Sequence, residues 1–182
     1  MGAGPVGPAP EVAPAEVAYV GLGSNLPGPR GSPREAVLAA LAALDELPDT
    51  RLVARSRLYR TRPLGGPPGQ PDYVNAVARL ETALSPGALL EALHGLEAAW
   101  GRRRGERWGP RTLDLDLLLH GGRRLAEDGL RLPHPRLAER DFVMLPLLEL
   151  APGLEVPGLG PAAELAERCP VRGAEPLPEA GR

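Results

Sequence analysis

Apolar and polar positions alternate in four stretches of this chain and recur with helical spacing in two, and the order of those six stretches sets the expected fold. Residues 17–22, VAYVGL, form a short apolar β-type run that ends at Gly23 in the turn-forming Ser24-Asn25-Leu26-Pro27. Ser32-Pro33-Arg34-Glu35 reads as a capping box with proline at the first helical position. Val37, Leu38, Leu41, Leu44 and Leu47 continue it as a helix that Pro48 ends. Arg51 to Tyr59 alternates as a second strand and Tyr73 to Glu81 as a third, with the loop TRPLGGPPGQPD between them. In the third strand Val74, Ala76, Ala78 and Leu80 should face the helices, leaving Tyr73, Asn75 and Val77 on the opposite side. Ser85-Pro86 starts a second helix running to about Trp100, and Thr112 to Leu119 is a fourth strand.

The order β-α-β-β-α-β is that of the ferredoxin-like split motif, so the expected class is α+β: an antiparallel sheet with both helices on one face and the other face open. Extra C-terminal elements follow: an extended LRLPHP at 130–135, a helical segment within RLAERDFVMLPLLELAP, and a helical turn or two at 161–168.

Length and composition narrow this picture. A chain of 182 residues is most simply one domain, expected over 17–168 between a flexible Pro/Gly/Ala tail at 1–16 and a C-terminal tail at 169–182. Aromatic residues make up only 3%, so the core must be Leu, Val and Ala and each aromatic is worth locating. All 21 Lys+Arg residues are arginine. P-loop, Schiff-base and lysine-base chemistries are therefore excluded, and any phosphate must be held by arginine, backbone amides or metal. A net charge of −2 argues against a general polyanion binder while allowing a local basic cluster. Cys169 stands alone, which rules out an intramolecular disulfide and reads as a small buried hydrophobe. With no secretory-type N-terminus and no apolar run long enough to span a bilayer, a cytoplasmic protein is expected.

The candidate chemistry concentrates in Arg102 to Leu119, RRRGERWGPRTLDLDLLL. Strand alternation places Leu113, Leu115, Leu117 and Leu119 on one face and Asp114 and Asp116 on the other. Carboxylates roughly 6.6 Å apart along one face repel unless a cation sits between them, and Mg²⁺ takes one or two carboxylates plus substrate phosphates. Gly109-Pro110 turns the upstream arginines and Trp108 back toward the strand, where arginines clamp phosphate oxygens. The bland alternative is a half-buried strand with a solvated acidic face. Asn25 and Asn75 are the only asparagines; Asn25 reads as a turn residue tolerant of left-handed geometry, whereas Asn75 in mid-strand suits an amide that reads a heterocycle edge. Tyr73, Trp108 and Phe142 are candidates to stack on a planar ligand. His94 and Glu97 share a helix face at i, i+3, His134 lies between prolines, and Arg140 follows closely.

Five blocks, GSNL at 23–26, YRTRPLG at 59–65, PDYVNAV at 71–77, RWGPRTLDLDLLL at 107–119 and PHPRLAERDFVMLPLLELAP at 133–152, together resemble 6-hydroxymethyl-7,8-dihydropterin pyrophosphokinases of folate biosynthesis. The resemblance covers roughly residues 17–155. It implies transfer of pyrophosphate from MgATP to the pterin hydroxymethyl group with release of AMP, by a monomer acting on small molecules and needing neither nucleic acid nor membrane. It implies that Asp114 and Asp116 bind two Mg²⁺ ions, that Thr61, Pro63, Leu64, Tyr73, Asn75, Trp108 and Phe142 form the pterin pocket, and that Arg102, Arg104 and Arg111 are catalytic, as is Asp116. The nucleotide is expected on His94, Glu97, Arg111, Leu117, Arg131, His134 and Arg140.

Several positions depart from the family pattern: Arg62 stands where proline is common, His94 replaces a glutamine, Gly129 an arginine, Arg131 a hydroxyl residue and Pro135 an aromatic. Arg131 is read as compensating for Gly129. Two other classes compete, a ferredoxin-like RNA-binding module using the arginine cluster and a metal-dependent phosphohydrolase acting without a pterin acceptor.

Overall fold

A computed structural model describes residues 13–101 and 111–179 of the chain. Strand β1 (Glu16–Ser24) leads to helix α1 (Pro33–Asp45), strands β2 (Thr50–Arg55), β3 (Tyr59–Thr61) and β4 (Tyr73–Thr82), helix α2 (Pro86–Ala99) and strand β5 (Asp114–His120). A hairpin of β6 (Leu125–Glu127) and β7 (Leu130–Leu132) follows, then a 3₁₀ turn at Leu137–Glu139, α3 (Asp141–Leu150), the pair β8 (Glu155–Val156) and β9 (Gly160–Pro161), α4 (Ala162–Glu167) and β10 (Glu175–Pro176). The fold is mixed α and β. Its six-stranded antiparallel sheet runs β10-β3-β4-β1-β5, with β2 also paired to β4.

Both main helices start as the sequence dictates. The Ser32 hydroxyl accepts from the Glu35 amide at 3.3 Å, and the Glu35 carboxylate accepts from the Ser32 amide at 2.7 Å. Ser85 accepts from Ala88 at 3.2 Å. One sheet face carries Ala18, Val20, Leu22, Ala76, Ala78, Leu80, Leu113, Leu115 and Leu117 against α1 and α2.

The structure corrects four expectations. The opposite face is not open: Tyr19, Val77, Leu118 and Leu119 lie buried against Leu137, Val143, Met144, Leu147 and Ala162 of the C-terminal elements. Only the half of that face beside Gly21 and Gly23 is left as a cleft. Leu119 does not join Leu113, Leu115 and Leu117. Tyr19 pairs with Leu119 but Val20 with Leu117, so an extra residue bulges β5 and turns Leu119 toward the C-terminal layer. The second strand is two strands, broken at Ser56, whose amide donates to Val77 O and whose hydroxyl accepts from Val77 N. Finally, the expected tail from 169 is not free over its described residues: β10 pairs with β3, and Leu177 packs on the main core.

Candidate active site

The cleft floor is laid by glycine. Gly23 of β1 sits between Asn75 of β4 and Asp114 of β5, and Gly21 between Val77 and Asp116, so the centre strand presents no side chains exactly two rows deep where its neighbours present an amide and two carboxylates. A Cβ on Gly23 would stand 2.8 Å from Asn75 Oδ1, a separation that forces the amide to move. Glycine within a strand marks this kind of close approach. The sequence carries that signal as VGLGS, two glycines at strand spacing.

Around this floor is a cleft of ≈ 450 Å³. Of the residues anticipated for the site, Thr61, Pro63, Leu64, Tyr73, Asn75, Arg111, Asp114, Asp116, His134, Arg140 and Phe142 all line it, and the departures Arg62 and the unanticipated Arg136 join them. A smaller cavity of ≈ 280 Å³ abuts it through Asp116 and His134 and is walled by Leu90, Leu115, Leu117, Leu130, Arg131 and Pro135. Arg102, Arg104 and Trp108 lie outside the described residues.

His94 and Glu97 line neither cavity. His94 is exposed on α2, while Glu97 is buried at 6% exposure and accepts from Leu115 N at 3.0 Å. Since among the described strands β5 pairs only with β1, Glu97 supplies an acceptor at its other edge and braces the acidic strand from behind.

The Thr61 hydroxyl accepts one amide proton of Asn75 at 2.7 Å, which fixes the orientation of the Asn75 side chain toward the cleft. Asn25 is more than a turn residue. Among the described residues Asp49 is the only non-glycine with positive φ, so left-handed geometry does not explain Asn25. It is fully buried; its Oδ1 accepts from Arg111 N at 2.8 Å and its Nδ2 donates to Pro71 O at 3.1 Å and Gln70 Oε1 at 3.3 Å. One side chain thereby ties the end of β1 to the loop before β4 and to Arg111. Asn25→Ala strands the Arg111 amide and should cost about 1–3 kcal/mol of stability, read by thermal or denaturant unfolding.

Charge is arranged in two signs. The side chains of Asp114 and Asp116 are 30% and 35% exposed; Arg111 Nη1 is 3.5 Å from Asp114 Oδ1 and His134 Nε2 is 3.8 Å from Asp116 Oδ1. Burial, with Arg140 adding to it, pushes the His134 imidazole down to about 4, so the ring is neutral near pH 7. Its Nδ1 accepts from Arg136 N at 3.2 Å, which leaves the proton on Nε2, facing the cleft as a donor. Burial also lowers Arg140 from its usual range, against the pull of Asp116 and Asp114, and Arg140 Nε is buried with no hydrogen-bond partner among the described residues. An anionic ligand would satisfy that donor.

The donor set also decides what metal the cleft suits. Among the described residues no three His, Cys, Asp or Glu side chains are grouped to hold an ion. Two adjacent, half-exposed carboxylates fit Mg²⁺ shared with substrate phosphates, and do not fit a closed structural site.

Residues 19–152 match the family model described as 7,8-dihydro-6-hydroxymethylpterin-pyrophosphokinase. This chain belongs to that family. Relatives named 2-amino-4-hydroxy-6-hydroxymethyldihydropteridine pyrophosphokinase include one from Pseudomonas aeruginosa, 51% identical over 162 residues, covering 89% of this chain and 97% of the relative. Another, from Haemophilus influenzae, is 46% identical over 151 residues, covering 83% and 91%. Among solved structures, Plasmodium falciparum HPPK-DHPS with STZ-DHP superposes with a TM-score of 0.66 at 13% identity, covering 87% of this chain and 44% of that one. At that identity the likeness concerns the pyrophosphokinase fold alone, and this chain spans less than half of that protein.

Proposed function

We propose that this chain transfers the pyrophosphoryl group of ATP to the hydroxymethyl group of 6-hydroxymethyl-7,8-dihydropterin, releasing AMP, as a step of folate biosynthesis. The observation that carries the reading is the row Asn75–Gly23–Asp114 with Asp116 beside it: an amide suited to a heterocycle edge and two carboxylates suited to a metal share one glycine-floored cleft. The strand order, with β2 and β3 taken together, is read as the ferredoxin-like arrangement.

The pterin takes the side of Thr61, Pro63, Leu64, Tyr73, Asn75 and Phe142, with its ring between the aromatic side chains and its edge at the Asn75 amide. The triphosphate lies toward Arg111, His134 and Arg140, and the nucleoside toward the apolar cavity bounded by Leu117 and Arg131. Asp114 and Asp116 would hold two Mg²⁺ ions, which supply charge neutralisation and orientation of the phosphates. His134 donates its Nε2 proton without carrying charge, and the guanidinium groups of Arg111 and Arg140 take the developing charge on the transferred group. Such transfers pass through a loose transition state, so positioning matters more than a strong base for the hydroxyl proton. Arg102, Arg104 and Trp108 keep the phosphate and ring roles that the family resemblance implies. The enzyme is read as a monomer acting on these two small molecules.

The RNA-binding alternative finds no support. On the central strands β1 and β4 the aromatic side chains are Tyr19, buried at 5% exposure, and Tyr73 inside the cleft, and two carboxylates border the face a backbone phosphate would have to cross.

A product assay tests the reading: with MgATP the chain should form AMP only when the pterin is present, and formation of ADP, or of AMP without pterin, would contradict it. Gly23→Ala should raise the pterin KM by about tenfold or more, because the new Cβ displaces the Asn75 amide, with kcat at saturation less affected. Steady-state kinetics at fixed MgATP check this.

A further inference from the structure

The segment from Val171 to Leu177 lines no part of the cleft, yet it is bonded to both of its walls. On one wall, Asp141 N donates to Val171 O at 3.3 Å, and Gly173 N and Ala174 N donate to Asp141 Oδ2 at 2.6 and 2.9 Å. On the other, Glu175 and Pro176 pair with Arg60 and Tyr59, Leu177 N donates to Leu58 O at 2.7 Å, and Arg60 meets Glu175 at 2.6 Å. Asp141 is buried, at 8% exposure, and its chain neighbours Arg140 and Phe142 both face the cleft. The wall opposite ends at Thr61, which holds Asn75.

An aspartate in the first turn of a helix ordinarily serves the amides of its own helix. Asp141 instead accepts from amides 32 and 33 positions later in the chain, and α3 has no side-chain cap. Its charge-assisted bonds therefore fix where α3 begins relative to β3, not whether α3 forms. The far end of α3 is tied separately, by Tyr59 and Arg57 to Glu149 at 2.7 and 2.8 Å, so the start of the helix is the end this segment governs.

We propose that Asp141 is a positioning residue and that residues 171–177 act as a strap, together setting the distance between Phe142 and Arg140 on one wall and Thr61 and Asn75 on the other. That distance is the width of the slot for the planar substrate. The proposal rests on the pterin reading above, and hydrogen exchange separates the two because it reports on the walls without substrate.

The test uses the full chain as wild type, Asp141→Ala, Asp141→Asn, which keeps an acceptor oxygen, and Ala174→Pro, which removes one donor from the strap and leaves Asp141 in place. Asp141→Ala and Ala174→Pro should each raise the pterin KM about tenfold while kcat at saturation stays within about threefold, and Asp141→Asn should recover most of the loss. Amide protection should fall at Phe142–Val143 and at Thr61 and persist in α1 and α2. Unchanged pterin KM and unchanged protection of both walls in Asp141→Ala and Ala174→Pro, with only a lower Tm, would overturn the proposal and leave the strap a purely structural element. Wild type that forms no AMP with pterin, with the loss of wall protection still seen in the variants, would overturn the functional reading and keep the strap.

Discussion

Replacing Asp116 with alanine should lower pterin-dependent AMP formation by about 10³-fold or more, equivalent to roughly 4 kcal/mol of transition-state stabilisation. Asp116 stands where three things meet: it borders both cavities, it lies in the row beside Asn75 and Asp114, and His134 and Arg140 approach it. Removing it takes away half of the carboxylate pair proposed to anchor metal and leaves the surrounding arginines with one fewer counter-charge. The loss should be specific to turnover. With its side chain 35% exposed and a like charge two residues away, Asp116 contributes little to folding, so the variant should unfold within a few degrees of wild type. A coupled AMP assay beside a thermal melt checks both halves, and a near-normal rate would refute the metal assignment.

Arg111→Ala should reduce kcat by about 10²-fold with a smaller change in the KM for either substrate, the pattern of an interaction made mainly in the transition state. The backbone of Arg111 is fixed by Asn25 on both sides of its peptide, through the Asn25 amide N and its Oδ1, and its guanidinium lies 3.5 Å from Asp114 Oδ1. It is therefore placed before substrate arrives and needs little reorganisation. Arg111→Lys should recover only part of the rate, because an ammonium carries the charge without the planar pair of donors. An unchanged kcat in the alanine variant would reduce Arg111 to a structural role.

Much of this arrangement was legible in the order of residues because local signals and tertiary packing agree. Serine and proline at the starts of α1 and α2, with glutamate completing the box in α1, and leucine alternating with aspartate in β5, dictate the same outcome whether read locally or in the folded chain. What escaped the sequence depends on partners far along the chain. The bulge opposite Tyr19–Val20 exists only in the pairing of β5 with β1, and nothing in LDLDLLL marks which leucine is the extra one. Residues 171–177 carry no periodicity and two of them pair as a strand only because β3 offers an edge. Asn25 looked like a turn residue because its partners at 70–71 and 111 lie 45, 46 and 86 positions away. Its rarity in this composition was the usable clue, and the same clue points to the mid-strand Asn75, which lines the cleft. The glycines of the cleft floor were visible too, but as missing side chains they signal a ligand only once their cross-strand neighbours are known.

The central claim is that the acidic row and the heterocycle slot are one site, and a titration of pterin into the protein with and without a non-hydrolysable ATP analogue and Mg²⁺ tests it most directly. Wild type should bind pterin more tightly when analogue and Mg²⁺ are present, with the reciprocal tightening of analogue by pterin that linkage requires, and Asp116→Ala should lose that coupling while still binding pterin alone. Pterin affinity indifferent to the metal-bound analogue in wild type, or coupling that survives in Asp116→Ala, would contradict it.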